Sequence, residues 1–165
     1  MRSRFWVCLS VLVALRAGSL SGQTLGAPAD SQAIRTVVAT LDTAWGAADA
    51  DRWTSMFWPD AEFVNVSGLI FSGANEIRAR HQAIWHAHFR GSHAQGTIRR
   101  LVFLSPDVAI ADVNFAVRGY AYLPAVGARE TEPGVVLSRM RHVLTRRDGR
   151  WRIAATQNTL VAPKQ

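Results

Sequence analysis

Apolar residues recur at three- and four-residue spacing through Ile34, Val37, Val38, Leu41, Trp45 and Ala48, which predicts an amphipathic helix with one continuous buried stripe. Asp30 or Ser31 can cap its start, and Gly46 weakens its end. Asp49 offers an N-cap to a short second helix that buries Trp53, Met56 and Phe57, with Pro59 and Asp60 terminating it. The period then changes. Residues 62–66 alternate as a strand, Phe63 and Asn65 on one face, Val64 and Val66 on the other. Gly68 and Gly73 bracket a shorter strand at 69–71, and a third helix is predicted over about residues 74–89. Beyond Gly96 the period is two. Strands are predicted at 97–104, 108–118, 134–146 and 150–161, joined by Ser105-Pro106-Asp107, a long loop at 119–133, and an Asp148-Gly149 hairpin turn. Consecutive antiparallel strands after a block of helices indicate an α+β fold with helices on one face of a curved sheet.

The third helix holds the most distinctive chemistry. With Ile77 at zero on a wheel of about 100° per residue, His81 falls near about 40°, Ile84 near about 340° and His88 near about 20°, while His86 falls opposite. His81 and His88 thus share the buried stripe. Seven residues of helix rise about 10.5 Å, too far for two ligands of one metal ion, and no H-E-x-x-H pattern is present, so no metal site is expected. Each histidine has two readings: a proton shuttle or ligand partner in a pocket, or a ring hydrogen-bonded at the margin of the core. The strands add further candidates. Asp112 and Asn114 share a face with Val108 and Ile110, and Val113, Phe115 and Val117 form the other. On a cavity face Asp112 would have a raised pKa suited to acid or base work; on the outer face, the favoured reading, it is an ordinary solvated residue. Asn158 alternates with Ala154, Thr156 and Leu160, and either orients a ligand or satisfies backbone groups. Tyr120, Tyr122 and Leu123 lie in the long loop, which reads equally as a lid or as a surface excursion.

Composition sets the class. A chain of 165 residues with 48% hydrophobic content, six Trp and seven Phe is one domain able to bury a real core. Residues 1–29 stand apart from it: Arg2 and Arg4 precede an apolar run at 5–15, followed by small and polar residues, the layout of a signal peptide and linker. The run is too short to cross a bilayer. The domain is therefore placed at 30–165, exported as a secreted or periplasmic protein with no membrane attachment once the leader is removed. The formal charge of +7 includes Arg2, Arg4 and Arg16; without them 16 basic residues face 12 acidic ones, a net charge of +4. That excess is no nucleic-acid signature. The cluster Arg139, Arg141, Arg146, Arg147, Arg150 and Arg152 reads as a solvated sheet edge. Cys8, the sole cysteine, lies in the leader, so the domain has no disulfide and no thiolate.

Two runs carry a resemblance. W-P-D-A-E-F-V-N-V-S-G from Trp58 to Gly68 and W-R-I-A-A-T-Q-N-T from Trp151 to Thr159 resemble the nuclear-transport-factor-two-like superfamily, and within it the SnoaL-like, SgcJ/EcaC-type (DUF4440-like) branch, over roughly residues 30–161. The resemblance implies a cone-shaped domain with a deep apolar cavity for a small-molecule ligand. It also implies a homodimer formed through the outer face of the sheet, to which Val113, Phe115 and Val117 would contribute if they lie outside. His81 matches a histidine common in similar sequences, and Gln157-Asn158-Thr159 matches their terminal strand. The superfamily hosts enzymes, binding modules and scaffolds on one architecture.

Alignment with the ketosteroid isomerases of this superfamily places Asn65 where those enzymes carry their aspartate base, and Leu41 at about the position of their tyrosine donor. Neither residue can do that work. The arginine-bridged aspartate pair of epoxide-hydrolase relatives is not recognisable either. What remains is a polar cluster of Asn65, His81 and Asn158 at the end of a pocket lined by Trp45, Trp53 and Phe57, with His88 and Asp112 as further ligand contacts. Two functions fit: an exported pocket protein that binds a small molecule without chemistry, or an isomerase, cyclase or hydrolase in which His81 is acid or base and Asn65 holds an oxyanion. No dinucleotide-binding glycine pattern occurs, and no cofactor is expected.

Overall fold

Three helices lie against one face of a six-stranded sheet whose order is β2-β1-β6-β5-β4-β3. The structure, a computed structural model, describes residues 25–124 and 127–162; the predicted leader and Cys8 lie outside the described residues. The helices are α1 (Pro28–Gly46), α2 (Ala50–Thr54) and α3 (Ala74–His86), and the strands β1 (Phe57–Val64), β2 (Ile70–Ser72), β3 (His93–Ser105), β4 (Val108–Arg118), β5 (Val135–Arg147) and β6 (Arg150–Leu160). Every pairing is antiparallel except β1 with β6, which runs parallel.

Helix α1 buries the stripe its spacing predicts, Ile34, Val37, Val38, Leu41, Ala44 and Trp45. Its start differs from expectation. The helix begins at Pro28, a position where the missing N–H is no loss, and no side chain caps it. Asp30 instead accepts hydrogen bonds from Trp151 Nε1 at 2.8 Å and Arg146 at 3.0 Å, pinning the helix to the β5–β6 hairpin. Asp49 does cap α2, accepting from the Arg52 N–H at 2.9 Å. That helix ends at Thr54, well before Pro59. Strand β1 already runs through Pro59, at a point where its register with β6 shifts between Phe57 and Glu62, because proline has no N–H to give the ladder.

Helix α1 approaches β3 closely at Gly96, where a Cβ would stand 2.8 Å from Val38 Cγ1 and 3.0 Å from Asp42 Oδ1. Asp42 accepts the Gly96 N–H at 2.8 Å. Burial raises its pKa to about 6, against the lowering effect of that bond. A carboxyl whose folded pKa lies above its unfolded value stabilises most below about 3.8 and loses that contribution as pH rises through 6. Asp42→Asn is therefore expected to stabilise the domain at pH 7 by about 1 kcal/mol, discounted for partial exposure, and to change nothing at pH 3.5. Urea titrations at the two pH values would show it; equal effects at both would remove the desolvation account.

Parity along the strands decides what faces the helices. On β4 the inward set is Ala109, Ala111, Val113, Phe115 and Val117, all buried. Val113, Phe115 and Val117 are thus core residues, which corrects their suggested role in an outer dimer contact. On β6, Val143 pairs with Ala155 and Leu144 with Ile153, so Ala154 is an extra residue. This bulge shifts the phase: Trp151 and Ile153 face inward before it, Thr156 and Asn158 after it, and Ala154 does not alternate with Asn158 as expected. The hairpin turn at Asp148 and Gly149 has φ of 50° and 74°, as an Asp-Gly turn requires.

The arginines of the β5–β6 hairpin do not decorate an edge, since both strands are central in the sheet. Most are paired. Arg141 bonds Asp112, Arg146 bonds Asp30 and Asp107, and Arg147 bonds Asp60 and lies over the Trp58 ring.

Candidate functional site

The α3 face, the β1–β2 turn and the inner faces of β4, β5 and β6 enclose a cavity of about 460 Å³, within the range of small-molecule sites. Its walls are mainly apolar, from Trp45, Phe63, Leu69, Ile84, Phe115 and Met140. Polar groups enter from four places: Asn65 and Ser67 on the turn, Arg80, His81 and His88 on or just beyond α3, Ser138 on β5, and Asn158 on β6. Among the described residues no Asp or Glu lines it.

His81 is caged. Its ring packs 4.5 Å from Trp53, 5.2 Å from Phe63 and 5.6 Å from Trp85, centroid to centroid. Nδ1 lies 2.7 Å from the Ile77 carbonyl oxygen one turn earlier. A carbonyl only accepts, so Nδ1 carries the hydrogen and Nε2 presents a lone pair. Burial pushes the pKa down to about 4, with Arg80 lowering it further against the opposing Ile77 bond. At neutral pH the ring is uncharged, and its remaining function is to accept a hydrogen bond.

Asn65 sits just past β1 and builds the turn. Its Oδ1 accepts from the N–H groups of Ser67 and Leu69, both at 2.9 Å, and its own N–H donates to the Leu69 carbonyl at 3.0 Å. Only the amide nitrogen is left for a ligand. Asn158 contrasts with it: the side-chain oxygen is buried and has no hydrogen-bond partner.

His88 lies beyond the end of α3 rather than on its stripe. It nevertheless lines the cavity. Its carbonyl accepts from Ala121 and Tyr122, its ring meets Tyr122 edge-on at 4.9 Å, and its Nδ1 is buried without a partner. These contacts fasten the segment after β4 over the cavity, where Pro124, Gly127 and Ala128 complete the wall. Gly127 has φ 104° and passes so close to the turn that a Cβ would fall 2.7 Å from Ser67 Oγ.

The other expected contacts lie elsewhere. Trp53 and Phe57 are fully buried, at 0% and 1% exposure, and pack behind the cavity wall without facing it. Among the three predicted aromatics only Trp45 lines the space; its Nε1 donates to Ser92 at 2.8 Å. Asp112 points from the outer face of the sheet, as favoured, but it is buried there among arginines and is not the solvated residue expected. Hydrogen bonds from Arg141 and the nearby Arg99 and Arg100 hold its carboxyl below the usual range, so it has no raised-pKa role. Sequence reasoning missed Arg80, which follows the same wheel as Ile84 four residues on, and Ser138 and Met140, whose inward parity on β5 only the pairing reveals.

Comparison with known proteins gives a consistent placement. The model of the SnoaL-like domain family matches residues 28–157. An uncharacterized protein with a cystatin-like fold from Caulobacter vibrioides superposes with a TM-score of 0.70 at 26% identity, over 81% of this chain and 90% of the other. A domain of unknown function with a cystatin-like fold from Nostoc punctiforme gives 0.68 at 25% identity, over 81% and 78%. A hexachlorocyclohexane dehydrochlorinase from Novosphingobium barchaimii gives 0.66 at 18% identity, over 80% and 86%, a likeness of fold alone. No curated protein sequence matches the chain.

Proposed function

This chain belongs to the SnoaL-like domain family, and from that premise we propose that it is an exported pocket protein that binds a small, partly apolar molecule without transforming it. The observation that carries the reading is the state of His81: neutral, with Nδ1–H held by Ile77, in a cavity without a lining carboxylate among the described residues. A base of pKa about 4 is far from the operating range in which proton transfer is efficient at neutral pH. A neutral acceptor among aromatic rings is well suited to hold a ligand hydroxyl or amide. The competing acid/base reading keeps one supporting fact, that His81 and Asn65 line the same cavity. Export, a homodimer and the finer SgcJ/EcaC-type placement belong to the same proposal. Light scattering at twice the protomer mass and an N-terminus near residues 20–30 on the exported protein would support the first two; a monomer or an intact leader would count against them.

His81→Gln tests the reading. Gln keeps hydrogen-bonding capacity and similar bulk, so a pocket role predicts a melting temperature close to wild type. Affinity for a ligand found by thermal-shift screening of small apolar acids, ketones and phenols should fall about tenfold, or about 1.4 kcal/mol. A purely structural role predicts the reverse, a stability loss of about 1–3 kcal/mol with normal binding by the folded fraction. Consumption of a bound compound by wild type but not by His81→Gln would transfer the site to the enzyme reading.

A further inference from the structure

Among the described residues the cavity is lined by one arginine, no lysine and no carboxylate. Arg80 lines it, its guanidinium over the Phe71 ring at 5.7 Å, and among the described residues no carboxylate lies within ion-pair distance of it. Its neighbour Arg78 is different: that side chain is paired with Asp51. Arg80 is half-buried, and burial lowers its pKa, so the charge is partly stripped of water with only the Phe71 ring face to compensate. Such a group gains most from an incoming anion, since charge-assisted bonds are the stronger ones and a planar guanidinium matches a carboxylate.

The more deeply buried His81 has the opposite character. His81 Nε2 offers a lone pair because Nδ1–H is bound to Ile77. Asn158 lines the same cavity, but its unpartnered Oδ1 is occluded from it. The His81 lone pair, facing the cavity without a donor, calls for an N–H or O–H. Between these groups the walls are Phe63, Ile84, Phe115 and Met140, which suit an aromatic or aliphatic body.

We propose that the ligand is a hydroxylated apolar carboxylic acid, its carboxylate at Arg80 and its hydroxyl donating to His81 Nε2. This rests on the binding reading above and names the ligand class for the same cavity. The two ends make separable contributions, because Arg80 selects charge and His81 selects a donor.

The test uses hydroxyphenylpropanoate, its methyl ester and phenylpropanoate as probes, with the neutral dye N-phenylnaphthylamine as a displaceable reporter of cavity occupancy. Wild type is expected to bind the hydroxy acid about tenfold more tightly than the ester. Arg80→Gln should abolish that preference while leaving the ester and dye affinities unchanged, and Arg80→Lys should retain part of it. The hydroxy acid should exceed phenylpropanoate about threefold to tenfold in every Arg80 variant. Equal binding of acid and ester by wild type, or an equal loss of both in Arg80→Gln, overturns the charge assignment. Equal binding of the two acids overturns the donor assignment. Dye binding with no response to any probe overturns the ligand class but leaves the pocket reading standing, whereas absence of dye and probe binding alike overturns both.

Discussion

Replacing Trp53 with Ala is expected to destabilise the domain by about 3–5 kcal/mol, the largest loss from any single substitution considered. Its indole is fully buried and touches the rings of Trp45, Phe57, His81, Trp85 and Phe115 at centroid distances of 4.5–6.3 Å. Truncation removes the transfer free energy of a large aromatic and leaves a cavity among side chains from four elements that cannot all collapse into it. For a domain of this size that corresponds to a fall of roughly 10–20 °C in melting temperature. Trp53→Phe should be far milder, because Nε1 makes no hydrogen bond and most of the ring area survives. Urea unfolding of the two variants provides the check. A loss below 1 kcal/mol for Trp53→Ala would show that the aromatic cluster repacks freely and that the cavity wall is not set by it.

Asn65→Ala is expected to have the next largest effect, about 1–3 kcal/mol. The substitution leaves the N–H groups of Ser67 and Leu69 without the Oδ1 that now accepts both, in a turn that must close tightly enough for Gly68 to adopt φ 78°. Asn65→Asp keeps both acceptor bonds and is expected to lose under about 1 kcal/mol, since a carboxylate accepting backbone N–H groups is itself favoured. The pair separates two roles. Comparable losses for Ala and Asp in urea unfolding would overturn the assignment of the turn to the two bonds that Oδ1 accepts. The expected pattern makes Asn65 first a turn builder, whose placement beside the cavity follows from where the turn must be.

Much of the architecture is readable in the residues. The α1 stripe, the Asp49 cap, the Asp148-Gly149 turn and the period-two strands all follow from local spacing and backbone preference. The approach of His81 to the buried side was legible for the same reason, since its wheel position depends only on helical geometry. Local rules misplaced the end of α2 because Pro59 reads as a helix stop, whereas the chain had already entered β1, where a register break accommodates the ring.

The site was less legible. Alternation on β4 separates Asp112 from Val113 and Phe115 but is symmetric between the two faces, so it cannot assign the inner one; the helices packed on Val113 and Phe115 make that choice. The bulge at Ala154 reverses the phase of β6 and carries Asn158 into the cavity, and no residue pattern announces it. Trp45 lines the cavity while Trp53 and Phe57 lie behind it, although all three read alike as buried aromatics. The parallel pairing of β1 with β6 joins Phe63 to Thr156 across most of the chain, and it brings the Asn65 turn beside the terminal strand. The sequence by itself thus determined the elements, their polarity and the α+β class, since those depend on interactions between near neighbours. Which faces enclose the cavity, and which polar groups meet inside it, was decided only by the tertiary structure, because contacts between distant segments and the phase shifts at bulges leave no local periodicity to read.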